Sequence, residues 1–403
     1  MSKYSVYIHI PFCQHRCAYC DFNTYAGLME LIPDYCAALS QEIKYLAHVV
    51  GRMLPVHTIY FGGGTPSLLP ANRIENILST LWECFAIDVE VEITLEANPG
   101  TLKLDYLRSL RLLGVNRISL GVQSFNIEEL KMLEREHGPE EVIQAVKYSR
   151  QAGFDNLSLD LIYGLPGQEL RVWRKNVEFA LVLQPEHLSL YCLSLEHGTP
   201  MASWAARGLL PDIDPDLAAD MVEWVIERLA QDGFVQYEIS NWARPRGDGT
   251  LHECRHNLQY WRSEPYLGFG AGAHGFADHV RTANVLSPHS YIKRCLLDHD
   301  DHEIPLGREP AFPWTPATQT AQRLDRRTEI GETMMMGLRL TRLGVNRQEF
   351  YSRFGADLED VYGAEIADLV KVGLLEWEGG DQKRLRLTPK GRMLGNQVFM
   401  RFI

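Results

Sequence analysis

The run Ser5–Phe22 reads SVYIHIPFCQHRCAYCDF, a short strand-like stretch followed by Cys13, Cys17 and Cys20, three cysteines within eight positions. A strand that ends in a set of soft ligands predicts a sheet whose strand ends carry the chemistry. The same arrangement recurs downstream. Strand-like runs follow at VHTIYF (56–61), EVEITLEA (90–97), NRISLG (116–121), NLSLDLIYG (156–164) and HLSLYCLSL (187–195). Amphipathic segments such as YCAALSQEIKYLAHVV (35–50) and PEEVIQAVKYSRQAGF (139–154) alternate with them. Several strands are almost continuously apolar, the pattern of parallel strands covered on both faces. Six β/α units in series predict an α/β fold, a parallel sheet curled into a full or partial (β/α)6 TIM-like barrel. Polar or glycine-rich residues stand just after each strand: the cysteines, then GGGTPS, EANPG, GVQSF, Asp160 with YGLPG, and SLEHGTP. Six strand ends would thus converge on one mouth.

The rest of the composition narrows the setting. The 403 residues are 45% hydrophobic and 23% charged, ordinary globular usage. No signal-peptide pattern and no membrane-spanning apolar run is visible, which predicts a cytoplasmic chain. Eight cysteines are too few for a disulfide scaffold in so long a chain, so a tight group of three points to metal or redox work. A net charge of −12 argues against broad nucleic-acid binding and against anionic lipid.

The regular alternation stops near Phe234. ARPRGDGT (243–250) reads as an exposed loop, and Pro305, Pro310, Pro313 and Pro316 read as a linker. Three helical patterns (328–340, 346–355, 363–376) and a hairpin turning at Gly379-Gly380 then predict a winged-helix-like C-terminal domain. The expected domains are a core barrel at 1–235, a connecting region at 236–312 and the C-terminal domain at 313–403. The Met334–Met336 run reads as buried helix core rather than contact surface.

Cys-x-x-x-Cys-x-x-Cys leaves two metals in competition. Zinc needs a fourth ligand, which His9 or His15 would supply. A 4Fe–4S cluster on three thiolates leaves one iron open, useful only where a ligand must bind. Cys13, Cys17 and Cys20, with Tyr19 before the last, resemble the signature of the radical S-adenosylmethionine (radical SAM) superfamily. The resemblance implies that the open iron chelates S-adenosylmethionine. It narrows through Tyr7, YCDF, FGGGTPS, LEANP, GVQSF, DLIYGLPGQ, HNLQYW and RLRLTPKGRMLGN, which together are similar to the oxygen-independent coproporphyrinogen III oxidase-like family. Carried over by motif, Tyr7 and Tyr19 flank the cluster and ligand, and Gly63, Gly64 and Thr65 hold the methionine end. Glu96, Gln123, Arg135 and Asp160 contact the rest of the nucleoside and its carboxylate. Each has a plainer reading: Glu96 as a helix cap, Asp160 as a solvated strand-end carboxylate, Arg135 as an exposed helical arginine.

ECRHNLQYW (253–261) groups Cys254, His256, Asn257, Tyr260 and Trp261. A lone histidine among aromatics is ordinarily a packed, hydrogen-bonded residue. Heme-carrying members of the family have His-Asn-x-x-Tyr-Trp here, which implies heme binding with His256 as the candidate iron ligand and Cys254 as a further candidate. GFGAGAHG (268–275) matches a dinucleotide fingerprint, but no βαβ unit surrounds it, and close backbone packing beside the cofactor pocket is the better account.

Three functions stay open. The first is a heme carrier with a cluster and S-adenosylmethionine, passing heme to an acceptor protein such as one of the respiratory chain, with an electron donor for the cluster. Such a chain meets a membrane only through its acceptor. The second is oxidative decarboxylation of coproporphyrinogen III. The oxidase pattern has a further cysteine two residues after the third, where this chain has Phe22, and a long arm ahead of the cluster, where this sequence has twelve residues. Both departures favour the carrier. The third is DNA binding through the winged helix, disfavoured because the segment from Asp325 onward is almost balanced in charge.

Overall fold

The computed structural model describes residues 3–296, 311–380 and 383–403. Of the proline-rich linker, Pro305 and Pro310 lie outside the described residues, as do Asp381 and Gln382 after the Gly379-Gly380 turn. The chain divides into two compact units. The first holds the residues up to Val225 with Pro265–Arg323, and the second holds Ile226–Glu264 with Leu324–Ile403. The interval 236–312, expected as one connecting region, is therefore shared between them.

Six parallel strands form the heart of the first unit: β1 (Tyr4–Ile10), β2 (Pro55–Gly63), β3 (Ala86–Ala97), β4 (Arg117–Gln123), β5 (Leu157–Tyr163) and β6 (His187–Cys192). β1 and β6 do not pair with each other, so the barrel is partial. Beyond β1 the sheet continues through β7 (Tyr266–Phe269), β8 (His274–Ala277), β9 (Val280–Asn284) and β10 (Thr318–Arg323). β7 runs parallel to β1 and the last three strands are antiparallel. The β8–β9 turn is Asp278-His279, both at positive φ, as a two-residue hairpin with the twist of its strands requires.

Alternation along β1 sets its two faces. Val6, Ile8 and Ile10 are fully buried, while Ser5, Tyr7 and His9 occupy the intervening positions. Between the strands run α1 (Ile32–Val50), α2 (Ala71–Cys84), α3 (Leu104–Leu112), α4 (Ile127–Met132), α5 (Pro139–Gln151) and α6 (Leu170–Val182). Each long helix buries one apolar stripe, as Ile74, Ile77, Leu78 and Leu81 do on α2.

The second unit has helices at Arg326–Gly337, Arg347–Phe354 and Leu358–Lys371, with a three-stranded antiparallel sheet of Val345–Asn346, Arg384–Leu387 and Leu375–Glu378. Helices with such a sheet make the C-terminal domain winged-helix-like. Its core gathers Met334, Leu338, Phe350, Leu358, Leu385 and Val398. Met334 is fully buried and Met335 packs against the same core, so the methionine run belongs to the interior of the domain. Among the described residues no helix is long and apolar enough to cross a membrane.

Candidate cofactor site at the strand ends

The cysteine loop leaves β1 and returns under the ends of neighbouring strands. Cys13 is buried, and Cys17 and Cys20 are half-buried. Each thiol meets a hydrogen-bonding group: Thr65 Oγ1 lies 3.7 Å from Cys13 Sγ, Thr24 Oγ1 3.8 Å from Cys20 Sγ, and Arg135 Nη1 3.5 Å from Cys17 Sγ. Hydroxyl and guanidinium donors suit thiolates. Among the described residues no three His, Cys, Asp or Glu side chains, the three thiols included, are gathered around one metal-ion position. His9 and His15 are also engaged elsewhere. His9 Nδ1 is 3.0 Å from Tyr7 OH and its Nε2 is 2.9 Å from the Asn23 carbonyl, while exposed His15 faces Glu134 at 3.3 Å.

The GGGTPS loop packs backbone to backbone with the cysteine loop. Gly64 N–H donates to Ile10 O and Thr65 N–H to Phe12 O, both at 2.8 Å. A Cβ on Gly64 would fall 2.6 Å from Phe12 O and 3.0 Å from Cys13 Sγ, so no larger residue fits. Gly63 N–H donates to Glu96 Oε2 (3.1 Å) and Tyr60 OH to Glu96 Oε1 (2.8 Å). Tyr7 stacks on Tyr60 with ring centroids 6.2 Å apart. Across the mouth, Asp160 accepts from Ser119 Oγ at 2.9 Å and Ser158 Oγ at 3.0 Å. Gln123 has φ of 64°, and Arg135 Nη2 donates to Gly121 O at 2.8 Å. Arg135 thus joins the end of β4 to the cysteine loop, where its charge also faces Tyr19.

The structure therefore gathers Tyr7, Tyr19, Gly63, Gly64, Thr65, Glu96, Gln123, Arg135 and Asp160 within the first unit, around or beside the thiols. The plain readings of Arg135 and Asp160 do not hold, since neither is a solvated surface group. Two buried polar atoms at these strand ends, Arg135 Nε and Asn98 Oδ1, have no hydrogen-bond partner, as expected of a site left for a polar ligand. Sequence reasoning missed Tyr60, Ser119 and Ser158. For the two serines the signal was polar residues at period-two positions (Ser119 and Gln123, Ser158 and Asp160) inside otherwise apolar strands.

GFGAGAHG packs against the cysteine loop. Asn23 Nδ2 donates to Ala271 O and Leu286 O, both at 3.0 Å, and Gly272 lies directly against the Asn23 side chain. Helix α1 holds this region from below. Its buried Glu42 accepts from Gly270 N–H (2.9 Å), Asn284 Nδ2 (2.8 Å), Tyr291 OH (2.6 Å) and Thr315 Oγ1 (2.7 Å).

His256 belongs to the second unit and has a different character. It is 1% exposed, and its Nε2 lies 2.8 Å from Tyr260 OH on the same short helix, Arg255–Trp261. Trp261 lies under the Arg339 guanidinium at 5.5 Å and packs with Leu258, Tyr237, Ala243 and Leu340. Cys254 is fully buried, and Tyr237 OH accepts from its N–H. As folded, His256 is buried beside a small apolar cluster, with its Nε2 engaged by Tyr260 OH.

Glu96 carries a pH signature. Burial pushes its carboxyl up to about 7, Tyr60 and Gly63 N–H oppose the shift, and the neighbouring Asp160 charge adds to it. The folded state holds this proton more tightly than the unfolded chain, whose carboxyl titrates near 4.5. The contribution to stability is full below the unfolded value and is lost as pH rises through about 7. Between pH 5 and 8 the loss comes to about 2–3 kcal/mol. Urea unfolding of Glu96→Gln should therefore show a flatter pH profile than the parent by that amount. Parallel profiles would contradict the assignment.

The radical SAM superfamily model matches residues 7–180, and the HemN C-terminal domain model matches residues 324–394. The chain is 37% identical to the heme chaperone HemW of Lactococcus lactis over 99% of this chain and 97% of that one. It is 40% identical to the heme chaperone HemW of Escherichia coli over 73% of this chain and 77% of that one. Coproporphyrinogen III oxidase (HemN) from Escherichia coli, a radical SAM enzyme, superposes with a TM-score of 0.79 at 24% identity, covering 100% of this chain and 90% of that one, which shows a shared fold. With its cysteine loop, glycine-lined strand ends and C-terminal domain, the chain belongs to the HemW family of heme chaperones within the radical SAM superfamily.

Proposed function

We propose that the chain is a heme carrier that holds a 4Fe–4S cluster on Cys13, Cys17 and Cys20, binds S-adenosylmethionine beside it, and passes heme to an acceptor protein. The observation that carries this reading is the set of three thiols, each facing a hydrogen-bonding group, in the same unit as half-buried Glu96, Asp160, Gln123 and Arg135. A cluster on three thiolates supplies one open iron for the amino and carboxylate groups of S-adenosylmethionine. The chain's own residues do the rest. Gly64 lets backbone approach, Arg135 sets positive charge beside the Cys17 thiol, and Glu96 and Asp160 offer acceptors for hydroxyl or amino groups. Tyr7 and Tyr60 wall the interior face.

The heme side of the reading rests on kinship with the chaperones. His256 enters it as a residue that must leave Tyr260 and its burial before its ring can meet iron. The acceptor class the family suggests is a respiratory-chain heme protein, with a separate electron donor for the cluster and a cytoplasmic setting. Coproporphyrinogen decarboxylation is the weaker reading, because Phe22 stands where the oxidase pattern has a cysteine.

The deciding experiment is anaerobic reconstitution followed by iron and sulfide analysis, spectra with S-adenosylmethionine and with hemin, and heme transfer to an apo-acceptor. The expected result is four iron and four sulfide per chain (roughly the stoichiometry of one cubane), a heme spectrum, and its movement to the acceptor. Zinc without sulfide, or conversion of coproporphyrinogen III with no heme uptake, would overturn it.

A further inference from the structure

Within the second unit, Arg339 stands two residues past the helix Arg326–Gly337. Its guanidinium lies between two rings, 5.5 Å from the centre of Trp261 and 4.6 Å from that of Phe399. Its Nε is buried with no hydrogen-bond partner, and Trp261 Nε1 is in the same condition. Guanidinium and indole N–H groups only donate, so what this pair lacks is an acceptor. The carboxylate whose charge reaches Arg339 is Glu238. Glu238 spends its own oxygens on Ser240 N–H at 2.9 Å and on Asn241 Nδ2. Burial pushes its carboxyl up to about 7, which leaves it a partial counter-charge at neutral pH. The rings offset some of the cost of a desolvated cation, but they accept no hydrogen bond along its edge.

The charge around the short helix Arg255–Trp261 points the same way. Arg246, Arg262 and Arg342 all act on half-buried Glu253, which precedes the helix. Arg353 donates to the carbonyls of Arg262 and Ser263 at 3.2 and 2.9 Å. In a chain of net charge −12, arginines gathered at one short helix make a local positive field that draws anions.

We propose that Arg339, with the Trp261 indole N–H, seats a carboxylate of the cargo, a propionate of the heme whose iron His256 takes. The proposal rests on the heme-carrier reading and adds the means by which the carrier distinguishes heme with free propionates from a porphyrin without them. A propionate is ionised at neutral pH, and a guanidinium edge meets a carboxylate through two parallel N–H bonds. Trp261 follows His256 by five residues, about 7.5 Å along a helix axis. That span suits the reach from the centre of a porphyrin to its carboxylate edge.

The test uses the full chain, reconstituted anaerobically and titrated with hemin and, separately, with the dimethyl ester of hemin while the Soret band is followed. The parent should bind hemin at least about tenfold more tightly than the ester. Arg339→Gln should lose that preference, with its affinity for the ester and its iron and sulfide content unchanged. A purely structural role for Arg339 would weaken both ligands alike. His256→Ala should change the heme spectrum while the preference for hemin over the ester persists. Equal affinity of the parent for the two ligands, or equal losses of both in Arg339→Gln, would overturn the assignment. So would unchanged hemin affinity in Arg339→Gln, even where that variant loses a stabilisation by free acetate. A parent chain that takes up neither ligand would instead remove the heme-carrier reading itself.

Discussion

Glu42→Ala is expected to cost about 3–5 kcal/mol of stability, because it takes the shared acceptor away from several buried donors at once. Four donors converge on this carboxylate: Gly270 N–H, Asn284 Nδ2, Tyr291 OH and Thr315 Oγ1. They come from the segment after β7, from β9, from the helix Pro288–Leu296 and from the approach to β10. Burial pushes the Glu42 carboxyl up, and the hydrogen bonds oppose that shift. Truncation leaves all four donors facing a cavity, and each unsatisfied buried group costs about 1–3 kcal/mol before water enters. Amide hydrogen exchange should localise the damage: β7–β10 lose protection at lower denaturant than β2–β5. A loss below about 1 kcal/mol, or uniform exchange, would mean that the network is not the clasp described.

Gly272→Ala should strip the cluster while leaving most of the sheet folded. Gly272 has φ of +77°, and a Cβ there would fall 2.4 Å from Asn23 Nδ2 and 2.8 Å from Asn23 Cγ. Left-handed backbone costs a non-glycine residue about 1–2 kcal/mol, and the forced overlap about 1–3 kcal/mol more. The displacement falls on Asn23, three residues after Cys20, whose carbonyl meets His9 Nε2 and whose amide holds Ala271 and Leu286. Iron and sulfide per chain after anaerobic reconstitution should drop to less than half the parental value. Full cluster content with an unchanged melting temperature would contradict the argument.

How much of this was legible in the sequence depends on what each element is made of. The six parallel strands announced themselves because burial on both faces demands apolar runs such as LSLDLIY, and all six lie where those runs do. β3 begins earlier than its apolar half, since its first residues, around Asp88 and Glu90, are not buried. β7–β9 went unread: strands of four or five residues interleaved with glycine give neither period long enough to register. The cysteine loop and GGGTPS were legible because thiolate spacing and glycine at a close approach are dictated by local chemistry. Glu42 was not, because a carboxylate in SQEIKYL reads as a solvated helical face. Only the three-dimensional packing shows that it shares a stripe with Tyr35, Leu39 and Leu46. The His256 motif was visible as a pattern, but its burial against Tyr260 is a property of tertiary structure alone.

The last strand of the sheet, β10, reads TQTAQR, with only Thr318 buried and most of the others open to solvent. It ends in Arg323, whose guanidinium reaches Asp278. A rim of glutamine, threonine and arginine has little greasy surface to give a second chain that tried to zipper onto it. The antiparallel extension therefore closes off, on the β1 side, what a bare parallel row would leave sticky.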